Sequence, residues 1–227
     1  FKTMMIESSG LREEFESSGD SVHVFFNKRI KDVSADHLLR CLSSDEYFKF
    51  VILRDPFARL VSGYLDKFAK HVVPEKFVQD IILSVQTYLG VPIDVEKSIT
   101  FSQFIDYLDR TPDRLLNDHW RPQHTFVASV DFNLVGQFES LSDVTTSLER
   151  KFLIQIRQFV SNHLTQYKVF ESTLDFHTMY PHQLRKLDGM PTASQMFTPS
   201  LISKTQLRYM QDMRLCQTQF GVINALS

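Results

Sequence analysis

The stretch YFKFVILRDPFARLVSGYLDKF, residues 47–68, decides the fold. Residues 48–53 form a short, nearly continuous apolar run, the pattern of a strand buried on both faces. Arg54 stands where such a strand ends, and Asp55 and Pro56 supply a cap residue and a first-turn proline for a helix. Behind them Phe57, Leu60, Val61, Tyr64, Leu65 and Phe68 recur at helical spacing, an amphipathic core face. An arginine at a strand's carboxyl end, followed at once by a helix amino terminus, is where an open α/β sheet collects anions. Ser62 falls two helical turns after Asp55 on the same face, so Arg54 and Ser62 can bracket one anion. The alternative is an Arg54–carboxylate bridge beside an ordinary helix-surface serine.

Outward from this corner, the 227 residues are 43% hydrophobic, enough for one sizeable core, and a single domain over 1–227 is the expectation. A formal charge of −2 argues against a general nucleic-acid binder. Two cysteines, Cys41 and Cys216, make neither a metal site nor a disulfide framework. No glycosylation sequon, signal peptide or transmembrane run occurs in the chain. The opening FKTMMIE reads as the middle of a helix already under way, so a fragment is expected.

The remaining elements follow from pattern. Residues 1–15 read as a helix, 23–26 (HVFF) as a strand, and 35–42 as a helix capped by Ser34. A helix starts at Pro74 and ends at Gly90; Thr100 and Gln103 have capping-box spacing before another. Residues 131–138 (DFNLVGQF) read as a second buried strand in which Gly136 allows close backbone approach. Ser142 is placed as the cap of a helix to about 156, and Ser203 as the cap of a last helix to about 215. Residues 162–200 lack periodicity and read as irregular. The order predicts an α/β chain with a small parallel sheet flanked by helices.

RDPFARLVSGYLDKF is similar to the 3′-phosphate-binding motif of sulfotransferases that use 3′-phosphoadenosine 5′-phosphosulfate (PAPS). The likeness is to carbohydrate sulfotransferases of the chondroitin/HNK-1 type and their bacterial relatives. Three later features match in order: TFSQFIDYL, the His-Trp run NDHWRPQ, and FNLVGQFESL, a strand ending in a glutamate. LRYMQDMRL resembles the family's closing tyrosine–aspartate helix. The resemblance implies a P-loop-NTPase-like sulfotransferase fold and transfer of a sulfuryl group from PAPS to a carbohydrate hydroxyl. Adenosine 3′,5′-bisphosphate (PAP) would be the product, with no metal and no nucleic acid. The family's Pro-Lys donor loop does not occur here, so the first strand and that loop are expected upstream of Phe1. A non-catalytic nucleotide- or glycan-binding remnant of the same fold is the alternative. The family's cysteine pair after the His-Trp run is absent, which leans towards a bacterial, cytoplasmic type; a Golgi-anchored lumenal domain is the other option. A P-loop kinase is disfavoured because no GxxxxGK[ST] occurs.

By this resemblance Arg54 and Ser62 hold the 3′-phosphate. For the base, histidine suits proton acceptance near neutral pH. His119 is first choice because it falls in the motif loop, beside Trp120, which would offer a sugar a flat stacking face. His23 is second, since related uronyl 2-O-sulfotransferases carry a histidine in a similar H-x-x-F run; His124, His37 and His71 rank lower. Either first choice can instead be a structural histidine. Arg121 is a candidate for binding acceptor or donor, with a surface role as the equal alternative. Arg59 reads as a solvated helix arginine, Asp55 as a cap, and Glu139 as a structural partner. Acceptor specificity would sit in the irregular segments at 70–98 and 162–200.

Overall fold

The computed structural model describes residues 12–18, 33–127, 130–153, 166–171 and 174–220. In chain order it holds α1 (Arg12–Ser18), α2 (Ala35–Ser43), β1 (Phe50–Leu53) and α3 (Pro56–Tyr64, continued by a π-turn at Leu65–Ala69). Next come α4 (Lys76–Leu89), α5 (Phe101–Arg110), α6 (His124–Val127), β2 (Leu134–Gln137) and α7 (Leu141–Phe152). The short β3 (Tyr167–Lys168), α8 (Pro181–Leu184), β4 (Met190–Pro191) and α9 (Ala193–Met196) precede α10 (Pro199–Arg208) and α11 (Met210–Phe220). Contacts divide the chain into two units: residues up to Leu53 with Val127–His163, and Arg54–Phe126 with those from Leu164 onward.

In the first unit β1 and β2 pair in parallel, from Phe50 opposite Leu134 to Leu53 opposite Gln137. The Lys49 N–H donates to Asn133 Oδ1 at 2.7 Å and pins the register where pairing begins. α7 lies against these strands through Val144 and Leu148, which meet Phe50, Ile52 and Leu134. Gly136 makes that approach possible, because any side chain there would run into the γ-methyls of Val144. The parallel sheet is as expected, but β1 starts two residues late and only Leu53 on it is buried. Among the described residues β1 has one strand neighbour, so its first three residues stay half-buried. The expected strand at 23–26, the loop at 27–31 and most of the helix at 1–15 lie outside the described residues.

The second unit holds the larger core, built on the predicted helical face: Phe57, Leu60, Val61, Tyr64, Leu65 and Phe68 are all buried. Tyr64 stacks on Phe68 at 5.4 Å between ring centroids, and Phe104 meets Trp120 edge-on at 5.2 Å. The Tyr64 hydroxyl donates to the Ile99 carbonyl at 2.9 Å, which satisfies the polar atom that this ring carries into the core. Thr100 and Gln103 form the predicted capping box of α5, and Gly90 ends α4 with φ +65°.

Two caps differ from expectation. α7 begins at Leu141, because the 3₁₀ turn Phe138–Ser140 feeds straight into it, and stops at Phe152 where Leu153 turns left-handed. α10 begins at Pro199, whose fixed φ suits a first helical position, with Thr198 as its cap. Ser203 lies inside α10, its hydroxyl bonded back to the Pro199 carbonyl. The segment read as irregular is organised by side chains: Gln195 donates to the Phe170 carbonyl at 2.9 Å, and Phe176 and Leu184 are buried. Such anchoring leaves no periodicity in the sequence.

Candidate functional site

Everything in the site belongs to the second unit. At the start of α3 the Asp55 Oδ1 accepts the Ala58 N–H at 2.8 Å, so the buried carboxylate is committed to capping. Arg54 immediately precedes it. Its main-chain N–H donates to Gln123 Oε1 at 2.9 Å, and Gln123 Nε2 donates to its carbonyl at 2.7 Å. One nearly buried side-chain amide thus does for the Arg54 backbone what a neighbouring strand would do. Ser62, half-buried, stands two turns further along α3.

Arg59, read from sequence as solvated, is instead a clamp. Its Nη1 donates to the Arg121 carbonyl and its Nη2 to the Asp118 carbonyl, both at 2.7 Å. Burial holds its guanidinium below the usual arginine range, with the nearby Arg54 charge acting the same way; Tyr209, Asp212 and Asp118 oppose the shift.

The loop that Arg59 grips carries the other candidates. Trp120 is fully buried among Phe68, Phe77 and Phe104, which corrects the expectation of a sugar-stacking face: the indole anchors the loop to the core. Arg121 is likewise occupied: it donates to the Leu116 carbonyl at 2.8 Å and pairs with Asp118 at 3.0 Å. Those bonds fold the 113–121 turn and make Arg121 a loop brace. His119 is exposed; its ring stacks on Phe77 at 6.0 Å, and its Nδ1 lies 2.5 Å from Asn117 Oδ1. His23 lies outside the described residues.

Three residues that sequence reading passed over complete the arrangement. Asp212, with no exposed surface, accepts the main-chain N–H groups of Gln123 (2.7 Å) and His124 (2.8 Å) and faces His124 Nδ1 at 2.8 Å. The Tyr209 hydroxyl donates to the Trp120 carbonyl at 2.6 Å. Burial pushes the Tyr209 phenol well above the usual range, so it stays a donor. Gln123 links this carboxylate to Arg54. The tyrosine–aspartate spacing in LRYMQDMRL was the available signal for two of the three; nothing local marked Gln123 as their partner.

A cleft of about 750 Å³ opens elsewhere in the same unit, lined by Pro74, Gln79, Asp94, Lys97, His182 and Arg185. It joins the two segments expected to carry acceptor specificity. Among the described residues no group of three or more His, Cys, Asp or Glu is placed to hold a metal, and no helix is long and apolar enough to cross a membrane.

Known proteins bear on this arrangement in three ways. The model of the "Sulfotransferase family" matches residues 4–217. Carbohydrate sulfotransferase 14 of Danio rerio is 32% identical over 139 residues, 58% of this chain and 37% of that protein. Carbohydrate sulfotransferase 12 of Mus musculus is 29% identical over 145 residues, 57% and 34%. Carbohydrate sulfotransferase 10 of Danio rerio is 36% identical over 111 residues, 43% and 30%. The chain thus spans about a third of the length of these curated relatives. No solved structure matches it. A family match that takes in β1, the Arg54 corner, the His-Trp loop and the Tyr209–Asp212 segment covers every part of the site, and the chain belongs to the sulfotransferase family.

Proposed function

We propose that the protein moves a sulfuryl group from PAPS to a hydroxyl of a carbohydrate by in-line transfer, on a P-loop-like fold. The observation that carries this reading is the corner at the head of α3. There Arg54 stands directly before a helix amino terminus capped by Asp55, with Ser62 two turns on. Arg59 grips the 118–121 backbone, while Arg54, at the mouth of α3, has the guanidinium geometry to fork onto a phosphate, and Ser62 adds a neutral donor. These residues fit the 3′-phosphate of the donor nucleotide. PAPS supplies the activated sulfuryl group; the chain binds, orients and takes up the acceptor's proton through a histidine of the 117–124 loop. The cleft between Pro74, Lys97 and Arg185, lined by charged and apolar side chains, would hold more distant sugars of the acceptor. That the relatives described above are named carbohydrate sulfotransferases supports this acceptor class.

Isothermal titration with PAP and with adenosine 5′-monophosphate tests the reading. A bidentate, charge-assisted contact is worth about 3 kcal/mol, or roughly 100-fold in affinity. PAP should bind about 100-fold more tightly than the monophosphate, and Arg54→Ala should erase the difference. Equal affinities for the two nucleotides would overturn it, and PAP binding without turnover would favour a non-catalytic nucleotide-binding protein.

A further inference from the structure

We propose that His124, oriented by the buried carboxylate of Asp212, is the proton acceptor for the sugar hydroxyl; this rests on the sulfotransferase reading above. A carboxylate oxygen only accepts, so the 2.8 Å approach of Asp212 Oδ1 assigns the proton to His124 Nδ1 and leaves Nε2 with its lone pair. Asp212 has no exposed surface, whereas the His124 side chain is 24% exposed, so the ring is held from inside and reachable from outside. Its position is tied to the anion corner by a short bonded path. Asp212 holds the main chain of both Gln123 and His124, and the Gln123 amide holds both main-chain polar groups of Arg54. Among the described residues, Arg59 and Tyr209 are charged or titratable groups close enough to register the Asp212 charge.

His119 Nδ1 faces the neutral Asn117 amide, which orients a ring without stabilising the imidazolium that proton uptake creates. A buried carboxylate does both. In the step, His124 Nε2 removes the hydroxyl proton as the new O–S bond forms. The S–O bond to the donor phosphate breaks, its electron pair leaving on PAP, and the imidazolium stays paired with Asp212 until it releases the proton to water.

The test uses the intact protein, ³⁵S-labelled PAPS and pooled desulfated glycosaminoglycans as the acceptor probe. Wild-type PAP affinity is measured first, so failure of the sulfotransferase reading appears there. His124→Asn should lower kcat by about 10³-fold while PAP affinity stays within about threefold. Asp212→Asn should lower kcat by a larger factor than it changes the acceptor KM, because Asp212 acts through the His124 ring. Selective ¹⁵N-histidine NMR of the wild type should show His124 as the Nδ1–H tautomer, a readout independent of acceptor choice and of variant folding. A kcat for His124→Asn within about threefold of wild type overturns the proposal. So does a loss confined to PAP affinity, which would make His124 a donor ligand, or an Nε2–H tautomer.

Discussion

Replacing Arg59 with Met removes the guanidinium and keeps most of the aliphatic stem, so it isolates the clamp on the His-Trp loop. Two hydrogen bonds of 2.7 Å disappear, one to the half-buried Arg121 carbonyl and one to the Asp118 carbonyl at the exposed end. A charge-assisted bond in the shielded position contributes about 1.5–3 kcal/mol, and one open to water under about 1 kcal/mol. Against that stands the desolvation that already holds the Arg59 pKa down, a cost relieved by the substitution. The net loss expected is about 2 kcal/mol of unfolding free energy. Urea denaturation at constant m measures it, with the emission of Trp120, the chain's only tryptophan, reporting on the loop itself. Arg59→Lys should recover less than half, because one ammonium cannot span both carbonyls. A change under about 0.5 kcal/mol would refute the clamp. Normal stability combined with a roughly 100-fold loss of PAP affinity would show that Arg59 serves the anion instead.

Gly136→Ala should cost about 1–3 kcal/mol, because Val144, β-branched and fixed in α7, cannot turn its methyls away. In a double-mutant cycle Val144→Ala should recover about 1 kcal/mol or more; strict additivity would show that the strand and helix are not in contact there. Burial raises the Asp66 carboxyl, yet Lys67 and Lys70 outweigh it and hold it below the usual range. A carboxyl depressed in the folded state stabilises above the unfolded value of about 4 and loses that contribution as pH falls through the folded value. Asp66→Asn should therefore flatten the fall of Tm below about pH 4, by under about 1 kcal/mol given its exposure. An unchanged acid limb would remove Asp66 from the list of causes.

What could be read from sequence was whatever is encoded by local spacing. The Asp55–Pro56 start of α3, the Thr100–Gln103 box and the Gly136 approach each depend on residues a few positions apart or on one missing side chain, and each is found. Side-chain fates were less legible. Trp120 and Arg121 look like surface recognition residues in a polar run, yet the loop turns one into the aromatic core and folds the other onto its own carbonyls. Arg59 lies on the side of α3 away from its apolar positions, and only the placement of residues some 60 positions later makes it structural. The His124–Asp212 pair is separated by 88 positions, so no period or motif announces it.

That separation explains how an irregular loop can hold reactive groups still. Residues 117–124 include only the start of one short helix; Asn117 accepts the N–H groups of His119, Trp120 and Arg121 within the loop, and other main-chain polar groups take partners from elsewhere. Arg59 takes the carbonyls of Asp118 and Arg121, Tyr209 takes that of Trp120, and Asp212 takes the N–H groups of Gln123 and His124. Two of these three clamps come from the segment after α10, far from the loop in sequence. A substitution at Tyr209 or Asp212 therefore acts on the Arg54 corner from a distance: it frees Trp120 or Gln123, and through the Gln123 amide it frees the backbone of Arg54. Loop order, nucleotide affinity and proton transfer should consequently fail together when that segment is changed, whereas Ser62→Ala, which breaks none of these bonds, should weaken nucleotide binding and leave the loop in place.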